Sequence, residues 1–164
     1  MNKEEIFQYL TENKIPYECL EHKAVYNMED IKTINLPHPE AEAKNLFLRD
    51  DKKRNYYLIT IKGEKHVDLD KFRRQNNTRR LSFASDQDLS AILGLHPGAV
   101  TPFGILNDTE RKVIFILDNA FFTNSGLVAV HPNDNTATVW LKADDLLKII
   151  TDHGNNAYIV KIDY

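Results

Sequence analysis

The chain has 164 residues, and this length predicts a single domain over residues 1–164. Its 42% hydrophobic and 27% charged residues are ordinary for a globular protein, and no apolar stretch approaches the roughly 20 residues that a membrane-spanning helix needs. The single cysteine, Cys19, excludes an intramolecular disulfide and a multi-cysteine zinc site. The net charge of −3 argues against a nucleic-acid partner, and the lack of an apolar signal at the start predicts a cytoplasmic location.

The charge is unevenly distributed along the chain. From Lys44 to Arg80 there are 12 Lys and Arg against 5 Asp and Glu, a net of +7, whereas the remaining residues carry 9 basic and 19 acidic side chains, a net of −10. A basic segment within an acidic protein can concentrate phosphate binding on one face. The alternative is a solvated surface without a partner, because Lys and Arg usually lie outside.

The first part of the chain predicts one helix and three strands. Apolar periodicity indicates a short helix over residues 4–13, followed after a proline by a strand over 17–20. Runs of β-branched and aromatic residues indicate strands over 45–49 and 56–61. The charged residues 50–55 between them predict an exposed turn.

The second part alternates helices and strands. Ser85 is placed to cap a helix that Gly94 ends, and residues 113–117 form a wholly apolar strand that we expect in the interior of a sheet. The other predicted elements are a helix over 68–75, a short ambiguous segment over 81–84, a hairpin of strands 127–130 and 136–141, a helix over 143–153 and a strand over 158–162. The hairpin favours a mixed or mainly antiparallel sheet over a doubly wound one.

Standard catalytic motifs are absent from the sequence. It contains no Gly-rich phosphate loop, dinucleotide fingerprint or nucleophile elbow. The six histidines never fall at helical pair spacing with a carboxylate, which argues against a zinc-protease site. Acidic neighbours flank Cys19 and disfavour a thiolate, so the sequence predicts a buried structural thiol rather than a nucleophile.

Three features remain as candidates for chemistry. Residues 94–104 hold three glycines and two prolines, a composition that lets a ligand approach the backbone closely but also suits a plain connecting loop. Lys44 stands where a loop enters a strand and can direct its charge at a phosphate or carbonyl, although a lone lysine is usually a surface residue. His131 precedes Pro132 at a strand end, where a ligand contact and a turn residue are equally plausible.

Four sequence blocks resemble the YbaK/ProX family of aminoacyl-tRNA deacylases, and among them the free-standing editing proteins that clear alanine from proline tRNA. These blocks, in the family's order, are residues 44–50, 81–85, 97–104 and 131–138, and residues 21–26 are similar to the family's segment before its first long helix. The Gly98-x-x-x-Pro102 element is the family's defining loop. The resemblance covers most of the chain from Lys44 onward.

The resemblance implies an α+β fold, with a largely antiparallel, partly closed sheet surrounded by helices, and hydrolysis of the ester between an amino acid and the terminal adenosine of tRNA. It implies that Lys44 orients the substrate end, that the backbone of Gly98 holds the reacting ester or water, and that His131 lies beside the aminoacyl pocket. We expect no cofactor and no metal. The residues that the resemblance assigns to substrate binding are Asn45, Thr101, Pro102, Phe103 and Asn135.

The implied partner is the acceptor end of tRNA(Pro), with prolyl-tRNA synthetase as a further candidate and neither DNA nor a membrane. The basic segment then supplies candidate contacts to the acceptor stem, near a site anchored by Lys44. These candidates are Arg49, Lys52, Lys53, Arg54, Arg73, Arg74, Arg79 and Arg80. Two other functions stay open at this point: a deacylase of the same fold for Cys-tRNA(Pro) or another mischarged tRNA, and a non-catalytic module that binds tRNA or a synthetase.

Overall fold

The structure is a computed structural model that describes residues 1–27, 29–30, 34–63 and 65–162. The helices in these ranges are α1 (Lys3–Glu12), α2 (Leu69–Asn76), α3 (Asp86–Asp88, continued as a π-helical turn over Leu89–Leu93) and α4 (Ala143–His153), with 3₁₀ turns at Pro39–Ala41, Pro102–Asn107 and Asn119–Phe122. The strands are β1 (Glu18–Glu21), β2 (Ala43–Asp50), β3 (Tyr56–Lys62), β4 (Leu81–Phe83), β5 (Val113–Asp118), β6 (Leu127–Val130), β7 (Ala137–Lys142) and β8 (Ala157–Val160).

The strands form two sheets. One has the order β4-β2-β3-β5-β8, in which β3 runs parallel to β5 and β5 runs parallel to β8, and the other has the antiparallel order β1-β7-β6. The α+β class and the β6–β7 hairpin are confirmed. The structure differs from the expected partly closed sheet, since the strands divide into two sheets and neither closes on itself. The parallel pairs arise because α2–α3 and the hairpin with α4 carry the chain back over the sheet.

The main core joins one face of each sheet. Leu58 of β3, Phe115 of β5 and Val139 of β7 are fully buried there, together with Ile6 of α1 and Ile150 of α4. Burying a side chain of this size contributes about 1.5–3 kcal/mol, so these contacts hold the two sheets together. A second core covers the opposite face of the five-stranded sheet, where Phe72 anchors α2.

Most local predictions are confirmed, with one error. Helix α4 spans the predicted residues and ends at Gly154, and β5 is an interior strand, since it pairs with β3 on one side and β8 on the other. The ambiguous segment at 81–84 contains the edge strand β4. The prediction that Cys19 is buried is wrong, because β1 lies at the edge of its sheet and all four of its residues, Cys19 included, are exposed.

Asp50 organises the predicted charged turn between β2 and β3. Its carboxylate is only 2% exposed and accepts hydrogen bonds from the backbone N–H groups of Lys52 (3.1 Å), Arg54 (3.0 Å) and Asn55 (3.2 Å), and from the Asn55 side chain (3.0 Å). Burial raises the pKa of Asp50, but these hydrogen bonds outweigh it and hold the pKa below its ordinary value. The ionised carboxylate therefore stabilises the hairpin.

We expect Asp50→Asn to lower the free energy of unfolding by about 1–3 kcal/mol at pH 7, because an amide replaces one accepting oxygen with a donor and leaves buried N–H groups unpaired. The folded-state pKa is depressed, so this stabilisation is present above the ordinary pKa of aspartate and is lost as pH falls through the folded-state value. Urea unfolding at pH 7 and at pH 3 measures the difference.

The neighbouring Asp51→Asn is the matched control. Its carboxylate is exposed and pairs with Arg79, and solvent screens such a surface ion pair so that it contributes little to stability. Equal losses in the two variants would contradict the assignment of the turn to Asp50.

Candidate functional site

One cavity brings together four of the predicted site residues. It has a volume of about 410 Å³, within the range of small-molecule sites. Lys44, Asn45, Gly98 and His131 all line it, although they come from three separate parts of the chain. The rest of its lining consists of Val25, Tyr26, Asn27, Ala43 and Val100.

Strand β2 presents Lys44 and Asn45 to the cavity. Asn45 is fixed by a cross-strand hydrogen bond, in which the Thr60 hydroxyl donates to its Oδ1 at 2.6 Å. Since Oδ1 is the acceptor in this bond, the Nδ2 group of Asn45, which has no partner among the described residues, can donate toward a ligand. Among the described residues Lys44 has no ion-pair partner, and its ammonium charge is available to an anion or a carbonyl.

The backbone at Gly98 is in the left-handed region, with φ of +86°. A side chain there would be strained, and its Cβ would lie 2.9 Å from Cδ1 of Tyr26. Glycine thus permits both the turn and the close approach of the tyrosine ring. The Gly98 N–H donates to no acceptor in the described part of the chain, so it can serve a ligand.

His131 is held at its backbone and at its ring. The Thr101 hydroxyl donates to the His131 carbonyl at 2.6 Å, and His131 Nδ1 lies 2.9 Å from the carbonyl of Ala137. A carbonyl only accepts, so Nδ1 carries the proton and Nε2 is left as an acceptor in the neutral ring. Burial lowers the pKa of His131, and the charge of His22 lowers it further, against the opposing effect of the Ala137 carbonyl.

His22 is a neighbour of His131 whose role the sequence did not predict. The two rings meet edge to face with centroids 6.4 Å apart. His22 Nδ1 lies 2.7 Å from the Lys23 carbonyl and therefore donates, and Nε2 lies 2.8 Å from the Thr138 hydroxyl, which can donate to a neutral ring or accept from a charged one. The contact links residues far apart in the chain, and only the block similarity at 21–26 gave a signal for it.

Four predicted substrate-binding residues do not line the cavity. Thr101, Pro102 and Phe103 are buried, because the 3₁₀ turn at Pro102–Asn107 packs into the main core. Asn135 lies behind the cavity wall, where its Nδ2 donates to the Val25 carbonyl at 2.9 Å and its own carbonyl accepts from the Val25 N–H at 3.2 Å. These residues are placed to position the wall, whereas Asn45 reaches the cavity itself.

A small recess adjoins the cavity. It has a volume of about 40 Å³ and shares Ala43, Asn45 and His131 with the larger space. Its other walls are formed by Leu36, Glu42, Ala129, Val130 and Thr138. Most of these side chains are small or apolar, so the recess suits a group of about one or two heavy atoms.

Two arginines of the basic segment are neutralised by ion pairs. Arg49 pairs with Asp88 at 2.9 Å, and Arg79 pairs with Asp51 at 2.5 Å. The exposed turn that holds Lys52, Lys53 and Arg54 follows the far end of β2, six residues and therefore about 20 Å from Lys44. This turn therefore does not adjoin Lys44, and contact between its basic residues and the acceptor stem stays a prediction. Arg74 and Arg80 are exposed, and Arg73 is half-buried on α2.

A second cavity of about 350 Å³ lies on the other face of the five-stranded sheet. Its walls contain Tyr57, Phe72, Tyr158 and asparagines of α2, with no histidine, lysine or carboxylate. It offers binding surface but few groups for catalysis. In the described ranges no three His, Cys, Asp or Glu side chains are grouped as metal ligands, and no helix has the length and apolar character to cross a membrane.

Comparisons with known proteins show the family of the chain. Residues 22–149 match the profile of the aminoacyl-tRNA editing domain family. The chain is 39% identical to the prolyl-tRNA editing protein ProX of Acetoanaerobium sticklandii over 98% of this chain and 97% of that protein. It is 31% identical to prolyl-tRNA synthetase associated domain-containing protein 1 of Mus musculus, over 97% and 95%.

A solved structure shares the fold. It is the crystal structure of a candidate trans-editing enzyme for prolyl-tRNA synthetase, and it superposes with a TM-score of 0.75 at 17% identity. The match covers 100% of this chain and 98% of that one. At this level of identity the match shows the fold alone.

We expect His131 to titrate below the ordinary histidine pKa of about 6.5, and His22→Asn to raise its pKa, because a neighbouring positive charge is removed. Titration of the imidazole signals by NMR measures both values. His66→Asn, an exposed histidine on the loop before α2, is the control and should leave the His131 titration unchanged. A His131 pKa that does not respond to the loss of His22 would contradict the electrostatic coupling.

Proposed function

Because the chain belongs to the family of aminoacyl-tRNA editing domains, we propose that it hydrolyses the ester of alanine mischarged on tRNA(Pro), acting in trans. The products are free alanine and tRNA. The observation that carries this proposal is the single cavity that gathers Lys44, Asn45, Gly98 and His131. A substrate of this kind is met in the cytoplasm, where we expect the enzyme to act.

The need for such an enzyme follows from the physics of apolar recognition. A synthetase pocket shaped for proline rejects the smaller alanine by only about 1–3 kcal/mol, since little is lost when a few methylenes are missing. A second pocket too small for proline can remove the error after it is made. The recess of about 40 Å³ supports this second sieve, because it suits a methyl side chain better than a pyrrolidine ring.

Ester hydrolysis requires that water add to the carbonyl carbon and that the developing oxyanion be stabilised. Lys44 has a free charge at the cavity, and the Gly98 N–H is an unused donor in the described structure. We assign these two groups to the oxyanion. The ester C–O bond then breaks, and the ribose 3′-oxygen leaves with a proton. The ribose 2′-hydroxyl is on the carbon next to the esterified 3′-position, so it can help to orient the water.

His131 is suited to bind the positively charged α-ammonium group of the substrate. The α-ammonium of an aminoacyl ester needs a hydrogen-bond acceptor, and a neutral imidazole supplies one at Nε2, whereas an imidazolium would repel it. Burial lowers the pKa of His131 and keeps the ring neutral at pH 7. We therefore assign His131 to the amino group and Asn45 Nδ2 to a polar atom of the same substrate end.

The deciding experiment measures loss of the acyl group from tRNA(Pro) charged with alanine, cysteine or proline. We expect hydrolysis of the alanyl ester above its spontaneous rate, with the prolyl ester left intact. Lys44→Ala should lower the rate by about a hundredfold, the typical effect of removing one oxyanion-stabilising group. Lys142→Ala, which removes an exposed lysine at the end of β7, is the control and should retain the wild-type rate.

The other outcomes identify the other functions. Faster hydrolysis of the cysteinyl ester than of the alanyl ester would identify Cys-tRNA(Pro) as the substrate. Hydrolysis of none of the three would leave a binding module without catalysis. Full activity in Lys44→Ala would show that Lys44 takes no part in the reaction.

We also propose that exposed arginines of the basic segment contact the acceptor stem of tRNA(Pro). Arg74→Gln with Arg80→Gln should weaken tRNA binding and reduce the slope of log affinity against log salt by roughly 1 to 2, because each phosphate contact releases counterions. Filter binding over a range of salt concentrations measures this slope.

Lys14→Gln with Lys142→Gln makes the same change in net charge on other exposed positions. This control should leave the slope unchanged. Equal losses in the two double variants would mean that the basic segment has no specific contact with the stem.

A further inference from the structure

We propose that Tyr26 is a stacking platform for the terminal adenine base of the tRNA whose ester enters the cavity. This inference rests on the proposed function. Nothing in the sequence blocks assigned a role to this side chain, although it lines the same cavity as Lys44, Gly98 and His131.

The ring of Tyr26 is exposed at the mouth of the cavity. Tyr26 as a whole is 65% exposed, the largest exposed fraction among the large hydrophobic residues in the described structure. An aromatic ring left in water at a cavity mouth loses the benefit of apolar burial, and a ligand that covers it regains that benefit. Its position therefore points to an occupant that binds across the mouth.

The backbone around Tyr26 is fixed although the side chain is exposed. The Tyr26 N–H donates to the Asp30 carboxylate at 3.0 Å, and the preceding residue, Val25, exchanges two hydrogen bonds with Asn135. The ring also lies against Gly98, close enough that a Cβ there would be 2.9 Å from its Cδ1. A fixed backbone places the ring at the cavity in advance, so less conformational entropy is lost when a stacking partner binds.

The chemistry of the substrate identifies the occupant. If the ester binds at Lys44 and His131, the adenosine that carries it extends out of the cavity, and the exposed Tyr26 on the cavity lining is the aromatic side chain that its base can reach. The terminal adenosine of tRNA is unpaired, so both faces of its base are free to stack on an aromatic side chain. Stacking of this kind recognises a nucleobase without any hydrogen bond to its edge.

The test separates the base from the sugar and phosphate. Two probes are titrated into the whole protein and followed by NMR: 5′-AMP, and ribose 5-phosphate, which is the same molecule without the base. We expect the wild-type protein to bind 5′-AMP on the order of tenfold more tightly than ribose 5-phosphate. Tyr26→Leu should abolish this difference, and Tyr26→Phe should retain it, because the ring is what stacks.

Tyr158→Leu is the matched control, since Tyr158 is another exposed tyrosine, on β8 and away from the cavity. It should bind both probes as the wild type does. Equal binding of the two probes by the wild type at millimolar concentration, or a base preference that survives in Tyr26→Leu, would overturn the proposal.

The deacylation assay distinguishes this proposal from the proposed function. Tyr26→Leu should lower kcat/KM for mischarged tRNA on the order of tenfold, mainly through KM, while Tyr26→Phe stays near the wild-type value. A base preference that depends on Tyr26, in a protein that hydrolyses no aminoacyl ester, would keep the stacking site and reject the hydrolysis.

Discussion

The cavity depends on hydrogen bonds that tie two separate loops to the β6–β7 hairpin. On one side Val25 and Asn135 exchange two hydrogen bonds, and the His22 N–H donates to the Thr136 carbonyl at 2.8 Å. On the other side the Thr101 hydroxyl donates to the His131 carbonyl. Each bond joins segments more than 25 residues apart in the chain. Without them the two walls would have no fixed position relative to Lys44 on β2.

The residues that line the cavity come from two kinds of element, the strands of a sheet and the loops between elements. The five-stranded sheet supplies Lys44 and Asn45 from β2, and their backbone positions are set by the ladder with β3, where Lys44 pairs with Ile61 and Asn45 with Thr60. The loops supply Tyr26 and Gly98, whose exposure and backbone freedom suit them to meet a ligand. His131 connects the strands and the loops, since it directly follows β6 and accepts a hydrogen bond from Thr101 in a loop.

Sequence patterns predicted what depends on neighbours in the chain. Helix α4 was predicted at its observed bounds because its apolar face and the final glycine are local signals. The family blocks predicted Lys44, Gly98 and His131, which meet at one cavity. The role of Thr60 in fixing Asn45 was not predictable, because it depends on the register of β2 against β3. Cys19 was misplaced because its burial depends on sheet order rather than on its flanking residues.

The electrostatics of the cavity follow from the two charges of the proposed substrate. An aminoacyl ester carries a positive ammonium beside a carbonyl that becomes negative during hydrolysis, so a site with two cations would repel one end while it attracts the other. Lys44 keeps its charge available, whereas burial and the proximity of His22 lower the pKa of His131. The neutral imidazole accepts where an imidazolium could only donate. In the proposed function the neutral ring of His131 therefore does for the amino group what Lys44 does for the oxyanion, so that the polarity of the cavity matches the polarity of the ester.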